Sequence, residues 1–370
     1  MSLAAPLPVT ILTGFLGAGK TTLLNGLLKD PALSDTIVLI NEFGEIGLDH
    51  LLVEAVEGDM ILLSSGCLCC SVRGDLVATL EDLLQRRTEG TVSPFRRVLI
   101  ETTGLADPAP VLASVISHPL LSTRYGIDGV VTVVDAVNGE DTLDTYPEAV
   151  KQAAVADRIV LTKTDLASPE ATEALRRRLR RLNPGARQLV AAETTAQALL
   201  DAGPFDPATG RIADVATWLS EEAFRDAAGH EGHDHGAGSD QSPHDVSRHD
   251  AHVRAFSLAT DVPIPVAALD LFLTLLPSAH GPKLLRLKGL VRTVEDPERP
   301  IVLHGVQHVM HPPVVLPRWP DEDRRTRLVF ITRDLEESFV RRLWDAFTGT
   351  PAVDTPDRAA LMDNPLSLRR

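Results

Sequence analysis

Hydrophobic and polar positions fall into blocks that predict a strand–helix repeat in the first half of the chain. Short apolar runs at residues 8–12, 36–40, 60–63, 97–101, 129–135 and 158–161 have the near-continuous pattern of strands buried on both faces of a parallel sheet. Between them the period lengthens to helical spacing. Residues 21–29 place Leu23, Leu24, Leu27 and Leu28 on one stripe, and residues 75–85 form an amphipathic helix. A third helix starts after Asp107-Pro108 and is closed by His118, and a short one surrounds Val150. Residues 169–183 form a basic amphipathic helix whose arginines, 176–178 and 180–181, read as a solvated face. From residue 252 the order changes to strand (252–260), helix (266–276), three strands (284–291, 301–310, 327–331) and helix (335–347). This is the pattern of a small α+β unit with helices on one sheet face. His304 and His308 share a strand face by period two, either as exposed sheet histidines or as a second metal contact.

The first strand runs into Gly14-Phe-Leu-Gly17-Ala18-Gly19-Lys20-Thr21-Thr22. The spacing G-x-x-x-x-G-K-[ST], flanked by a strand and an amphipathic helix, describes a loop whose backbone N–H groups turn inward around phosphates. Lys20 would reach the β- and γ-phosphates, Thr21 would place its hydroxyl on Mg²⁺, and the helix would point its positive end at the anion. The strand at 158–161 ends in Thr162-Lys163-Thr164-Asp165, which matches [NT]-K-x-D. There the Asp165 carboxylate accepts from guanine N1–H and the exocyclic amine while the Lys163 stem covers the base. Adenine lacks that donor pair.

Three further stretches carry acids or thiols. The strand at 97–101 ends in Glu101, placed to hold the Mg²⁺ water shell or orient the attacking water. Glu42 and Glu45 lie in the loop after residue 40 and are candidates for Mg²⁺, a second metal or that water. All three cysteines, Cys67, Cys69 and Cys70, fall within four residues. That excludes a disulfide framework and leaves metal or redox chemistry. Three thiolates can grip one soft ion and leave a fourth position open, as metal transfer requires. His118 is a lone histidine near a helix end, either a dipole contact or a ligand.

The 370 residues suggest two domains, and a net charge of −15 argues against nucleic acid or an anionic membrane as partner. With no apolar run long enough to span a bilayer and no basic leader, a cytoplasmic location is expected. Residues 230–252 hold six of the twelve histidines among Gly, Ser and Asp, including His230, His233 and His235. Such a segment reads as a mobile linker that collects Zn²⁺, Ni²⁺, Co²⁺ or Cu²⁺. The expected division is a phosphate-loop domain at 1–225, the linker at 226–251, the α+β domain at 252–350 and a tail at 351–370.

Taken together, these motifs resemble the CobW-like family of metal-handling GTPases. The resemblance rests on the phosphate loop, Asn41-Glu-Phe-Gly-Glu45, Gly66-Cys-Leu-Cys-Cys70, Glu101-Thr-Thr-Gly-Leu-Ala-Asp-Pro108 and Thr162-Lys-Thr-Asp165. Lys283-Leu-Leu-Arg-Leu-Lys-Gly289 and Gly305-Val-Gln307 extend it toward the C-terminus. It implies an α/β phosphate-loop NTPase with a mostly parallel sheet, GTP/GDP and Mg²⁺ as cofactors, and zinc (or Co²⁺ or Ni²⁺) at the cysteines, delivered to a metalloprotein client. Glu45 and His118 align with positions implicated in metal binding in relatives, Ile40 stands where some carry an acid, and a homodimer stays open. Two alternatives remain: a zinc buffer or sensor with a regulatory nucleotide site, and an NTPase of cofactor assembly.

Overall fold

The computed structural model describes residues 6–41, 60–63, 71–200 and 252–348. Seven strands form the first sheet: β1 (Leu7–Gly14), β2 (Thr36–Asn41), β3 (Met60–Leu63), β4 (Arg97–Glu101), β5 (Tyr125–Asp135), β6 (Arg158–Thr162) and β7 (Arg187–Val190). Their order is β3-β2-β4-β1-β5-β6-β7 and every neighbouring pair is parallel. Helices α1 (Lys20–Leu27), α2 (Ser71–Glu89), α3 (Ala109–Ile116), α4 (Leu121–Arg124), α5 (Gly139–Thr145), α6 (Pro147–Ala154), α7 (Pro169–Leu182) and α8 (Ala196–Leu199) connect them. β1 shows why its run is apolar throughout. Ile11 joins Leu80, Ile100 and Leu112 in one core, and its neighbour Leu12 joins Leu24 and Leu27 in another, so both faces are covered.

The second sheet is antiparallel and is built from β8 (Val253–Thr260), β9 (Leu284–Val291), β10 (Ile301–Val306), β11 (Val309–Met310), β12 (Val314–Val315) and β13 (Thr326–Arg333). Helices α9 (Val266–His280) and α10 (Glu337–Thr348) pack on it around Phe256, Phe272, Phe330 and Trp344. Phe272 and Trp344 meet edge to face with ring centroids 5.0 Å apart.

The expected architecture is observed, extended by strands β7 and β12, and it differs further in the following places. The single strand expected at 301–310 is a hairpin, because Gln307 adopts φ 54 and turns the chain so that Gly305 pairs with Met310. His304 and His308 therefore do not share an exposed strand face: His304 is buried in β10 and His308 stands exposed in the turn. Helix α3 ends at Ile116, so His118 lies in the turn before α4 rather than closing the helix. In α7, Arg178 is buried instead of solvated, and it bonds Glu140 at 2.6 Å and Asp144 at 2.7 Å. A guanidinium can leave water when two carboxylates meet its fork.

Candidate nucleotide-binding site

Strands β4 and β5 flank β1 on opposite sides, so the chain switches direction across β1, where a crevice opens at the carboxyl edge of such sheets. The phosphate loop leaves β1 at that point. Gly14 has φ 143, and a Cβ there would collide with the Val133 carbonyl of β5. Only glycine allows the loop to bend this close to the neighbouring strand. The loop then curls so that Ala18 N donates to Phe15 O at 3.1 Å, and α1 begins at Lys20. Lys20 Nζ folds back over the loop and donates to Gly14 O at 2.9 Å and to Phe15 O at 3.3 Å.

On the β4 side, the Thr21 hydroxyl donates to Glu101 Oε1 at 3.4 Å, and Glu101 is buried. A hydroxyl and a carboxylate at the first turn of a helix form a hard oxygen donor set that fits Mg²⁺. The chain after Glu101 lies against the phosphate loop. Thr102 N donates to Leu12 O at 2.9 Å and the Thr102 hydroxyl to Thr13 Oγ1 at 2.8 Å. At Gly104 an added Cβ would lie 2.6 Å from Leu16 N and 2.7 Å from Leu16 Cα. Gln152 of α6 holds the same loop from behind, its amide donating to Gly104 O at 3.1 Å and Ala106 O at 3.0 Å.

On the β6 side, the Thr162 hydroxyl is buried and donates to Ala18 O at 2.6 Å, tying the tetrapeptide Thr162–Asp165 to the phosphate loop. Lys163, with φ 54, reaches back to Gly17 O at 2.8 Å and to Asp135 Oδ2 at 2.6 Å. Burial pushes the Asp135 carboxyl up, but hydrogen bonds from Lys163, Asn138 and the amides of Val137 and Asn138 outweigh it and hold the group below the usual carboxylate range. Asp165 is exposed beside Leu166, which is 71% exposed. Phe15, Gly17, Asp135, Asn138 and Lys163 line a cavity of about 230 Å³ beside the loop.

Asp135 and Gln152 are contributors that the motifs do not name, whereas Gly104 belongs to the stretch Glu101–Pro108. Asp135 had a readable signal, an acid ending an apolar strand at the sheet edge. Gln152 had none, since a glutamine on a helix looks like any solvated residue. Of the expected metal positions, Glu42, Glu45, Cys67, Cys69, Cys70, His230, His233 and His235 lie outside the described residues. His118 accepts from Leu121 N through Nδ1 at 3.5 Å, and its Nε2 lies 3.7 Å from Glu81. No group of three or more potential metal-ligating side chains occurs among the described residues. No described helix is long and apolar enough to cross a membrane.

The fold and this site define a phosphate-loop nucleotide-binding protein with an antiparallel second domain. Residues 8–190 match the CobW/HypB/UreG nucleotide-binding domain, and residues 253–348 match the cobalamin synthesis protein cobW C-terminal domain. The chain belongs to this CobW family. It is 32% identical over 344 residues to the zinc chaperone YjiA of Escherichia coli strain K12, an alignment covering 93% of this chain and 98% of the relative. It is 30% identical to the zinc chaperone CobW of Pseudomonas aeruginosa, over 92% of this chain and 91% of that one. The crystal structure of the Zn(II)-bound YjiA GTPase from E. coli superposes with a TM-score of 0.63 at 28% identity, covering 93% of this chain and 99% of that one.

Proposed function

We propose that this protein is a GTP-hydrolysing metallochaperone that takes zinc at Cys67, Cys69 and Cys70 and passes it to a metalloprotein client according to its nucleotide state. The observation that carries the reading is the alignment of strand ends at one sheet edge. Ile40 of β2 pairs with Glu101, and Asn41 pairs with Leu63, the last residue of β3. The segment bearing the cysteines starts after Leu63, two interstrand spacings or about 10 Å from the Glu101–Thr21 pair. Full-length similarity to proteins named zinc chaperones supports the choice of cargo.

Lys163 and Asp165 select guanine, the backbone of residues 14–22 cradles the phosphates, and Lys20 leaves its carbonyl partners for the phosphoryl oxygens. Thr21 and Glu101 hold Mg²⁺, which when bound neutralises phosphate charge. Glu101 or Glu42 orients the attacking water. The nucleotide state sets the affinity of the cysteine site, which holds zinc more tightly with GTP than after hydrolysis.

Linkage sets the test. Zinc affinity is measured by competition with a chromogenic chelator in the presence of a nonhydrolysable GTP analogue and of GDP. A tighter site with the GTP analogue is expected, and zinc must tighten that nucleotide by the same factor. Equal zinc affinities in the two states overturn the coupling. Several zinc ions per chain with negligible turnover would favour a buffer built on His230, His233 and His235.

A further inference from the structure

The loop between Glu101 and α3 is held from the second domain as well as from the first. Gln307 Nε2 donates to Asp107 Oδ2 at 2.7 Å across 200 positions of sequence. The other oxygen of Asp107 accepts from the N–H of Ala109, the first residue of α3, at 3.0 Å. Gln307 is itself firmly placed. It sits at the hairpin turn with φ 54, its N–H donates to Leu285 O at 3.3 Å, and the preceding Val306 is buried in the core that contains Leu112 and Val115 of α3.

The same loop touches the phosphate loop at its other end. Gly104 packs on the Leu16 backbone so closely that a Cβ would lie 2.6 Å from Leu16 N, and Gln152 clamps both Gly104 O and Ala106 O. A continuous path of contacts therefore runs from Leu16 through Gly104 and Asp107 to Gln307. The Asp157–Arg286–Lys288 cluster also joins the two domains, through the residue before β6 and strand β9. The Asp107–Gln307 bond instead grips the segment that begins at Glu101.

We infer that Gln307 is a positioning residue for GTP hydrolysis: through Asp107 it holds loop 102–108, and with it Glu101, in the arrangement that orients the attacking water. The second domain is then part of the hydrolytic apparatus, and anything that displaces the β10–β11 turn slows turnover without abolishing GTP binding. This role presupposes that the chain hydrolyses GTP.

The test is steady-state GTP turnover by the full-length protein with Mg²⁺, alongside binding of a fluorescent GTP analogue and thermal unfolding. Gln307→Leu removes the donor, and Gln307→Glu sets a second carboxylate against Asp107 Oδ2, which otherwise has Lys151 Nζ 3.8 Å away. Each is expected to lower kcat about tenfold, the worth of one well-placed hydrogen bond, with GTP binding changed by less than about twofold. The decisive variant exchanges the partners. In Asp107→Asn/Gln307→Glu, Asn Oδ1 still accepts from Ala109 N while its Nδ2 donates to the new carboxylate, so kcat should return to within about twofold of the wild type. Wild-type kcat in both single variants overturns the inference, as does a double variant no better than Gln307→Glu alone. If Gln307→Leu fails to fold, the comparison of Gln307→Glu with the double variant decides. Absence of GTP turnover in the unaltered protein would refute the hydrolytic reading itself, a result distinct from active but indifferent variants.

Discussion

Lys288 Nζ donates to Asp157 Oδ1 at 2.7 Å, joining β9 of the second sheet to the residue that precedes β6 of the first, with both side chains buried. Arg286 donates to the same oxygen, and Val130 N donates to the other at 2.9 Å. Burial pushes the Asp157 carboxyl up, yet the two cations overwhelm it and hold the group far below the usual carboxylate range. One carboxylate thus compensates two buried cations at the junction of the domains.

Replacing that carboxylate should be costly. Asp157→Asn leaves Arg286 and Lys288 buried without their counter-charge, for an expected loss of about 3–5 kcal/mol. Urea unfolding would show it as a lower midpoint, with the two domains separating into distinct transitions. An unchanged single transition would mean that the apolar contacts of Leu285, Ile331 and Ala154 hold the junction alone.

Acid should loosen the same junction from a different group. His304 stacks on His311 with ring centroids 4.2 Å apart, and both are kept neutral. Burial first, then His311 and Arg286, holds His304 well below its ordinary 6.5; burial first, then Arg286 and Lys288, pushes His311 down to about 4 despite the opposing pull of Asp157. Arg286 can only donate to His304 Nε2, 3.2 Å away, so the His304 proton sits on Nδ1. The unfolded chain binds these protons from about pH 6.5 and the folded one does not. Stability is therefore full above that pH and falls as pH drops toward 4, by on the order of 3 kcal/mol for His311. Asp157 stays ionised throughout that window, and Arg286 and Lys288 stay charged. Denaturation midpoints between pH 7.5 and 4.5 would reveal the slope, and His311→Asn should flatten it.

Guanine selection is expected to depend on an exposed side chain. Asp165→Asn exchanges one acceptor oxygen for a donor facing guanine N1–H and the amine, so preference for GTP over ATP should fall by about 10- to 100-fold in a competition assay. Unaltered preference would assign the base to another surface.

Gly104 should tolerate nothing larger. In Gly104→Ala the new methyl meets Leu16 N at 2.6 Å, and the phosphate loop or the 102–108 loop must shift. GTP affinity measured by calorimetry should drop by about tenfold or more, corresponding to roughly 1–3 kcal/mol of overpacking.

The thiols make a separable prediction. Cys69→Ala should lower zinc affinity by several orders of magnitude while GTP affinity changes by less than about threefold, since on the proposed reading it removes one of three soft ligands and no phosphate contact. A parallel loss of both would tie the cysteines to nucleotide binding.

The phosphate loop, the tetrapeptide at Thr162–Asp165 and the parallel strands were all legible in the order of residues. Each is local: a few consecutive side chains, or an apolar run bounded by turns, carries the whole signal. The hairpin at Gln307, the burial of Arg178 and His304, and the Asp107–Gln307 and Asp157–Lys288 bonds were decided only when the chain folded. These partners stand 200 and 131 positions apart. In a linear reading a charged or amide side chain is assigned to water, because burying it is unfavourable until a partner arrives. That partner is supplied by tertiary packing, which takes both groups out of solvent and makes one environment of two distant stretches.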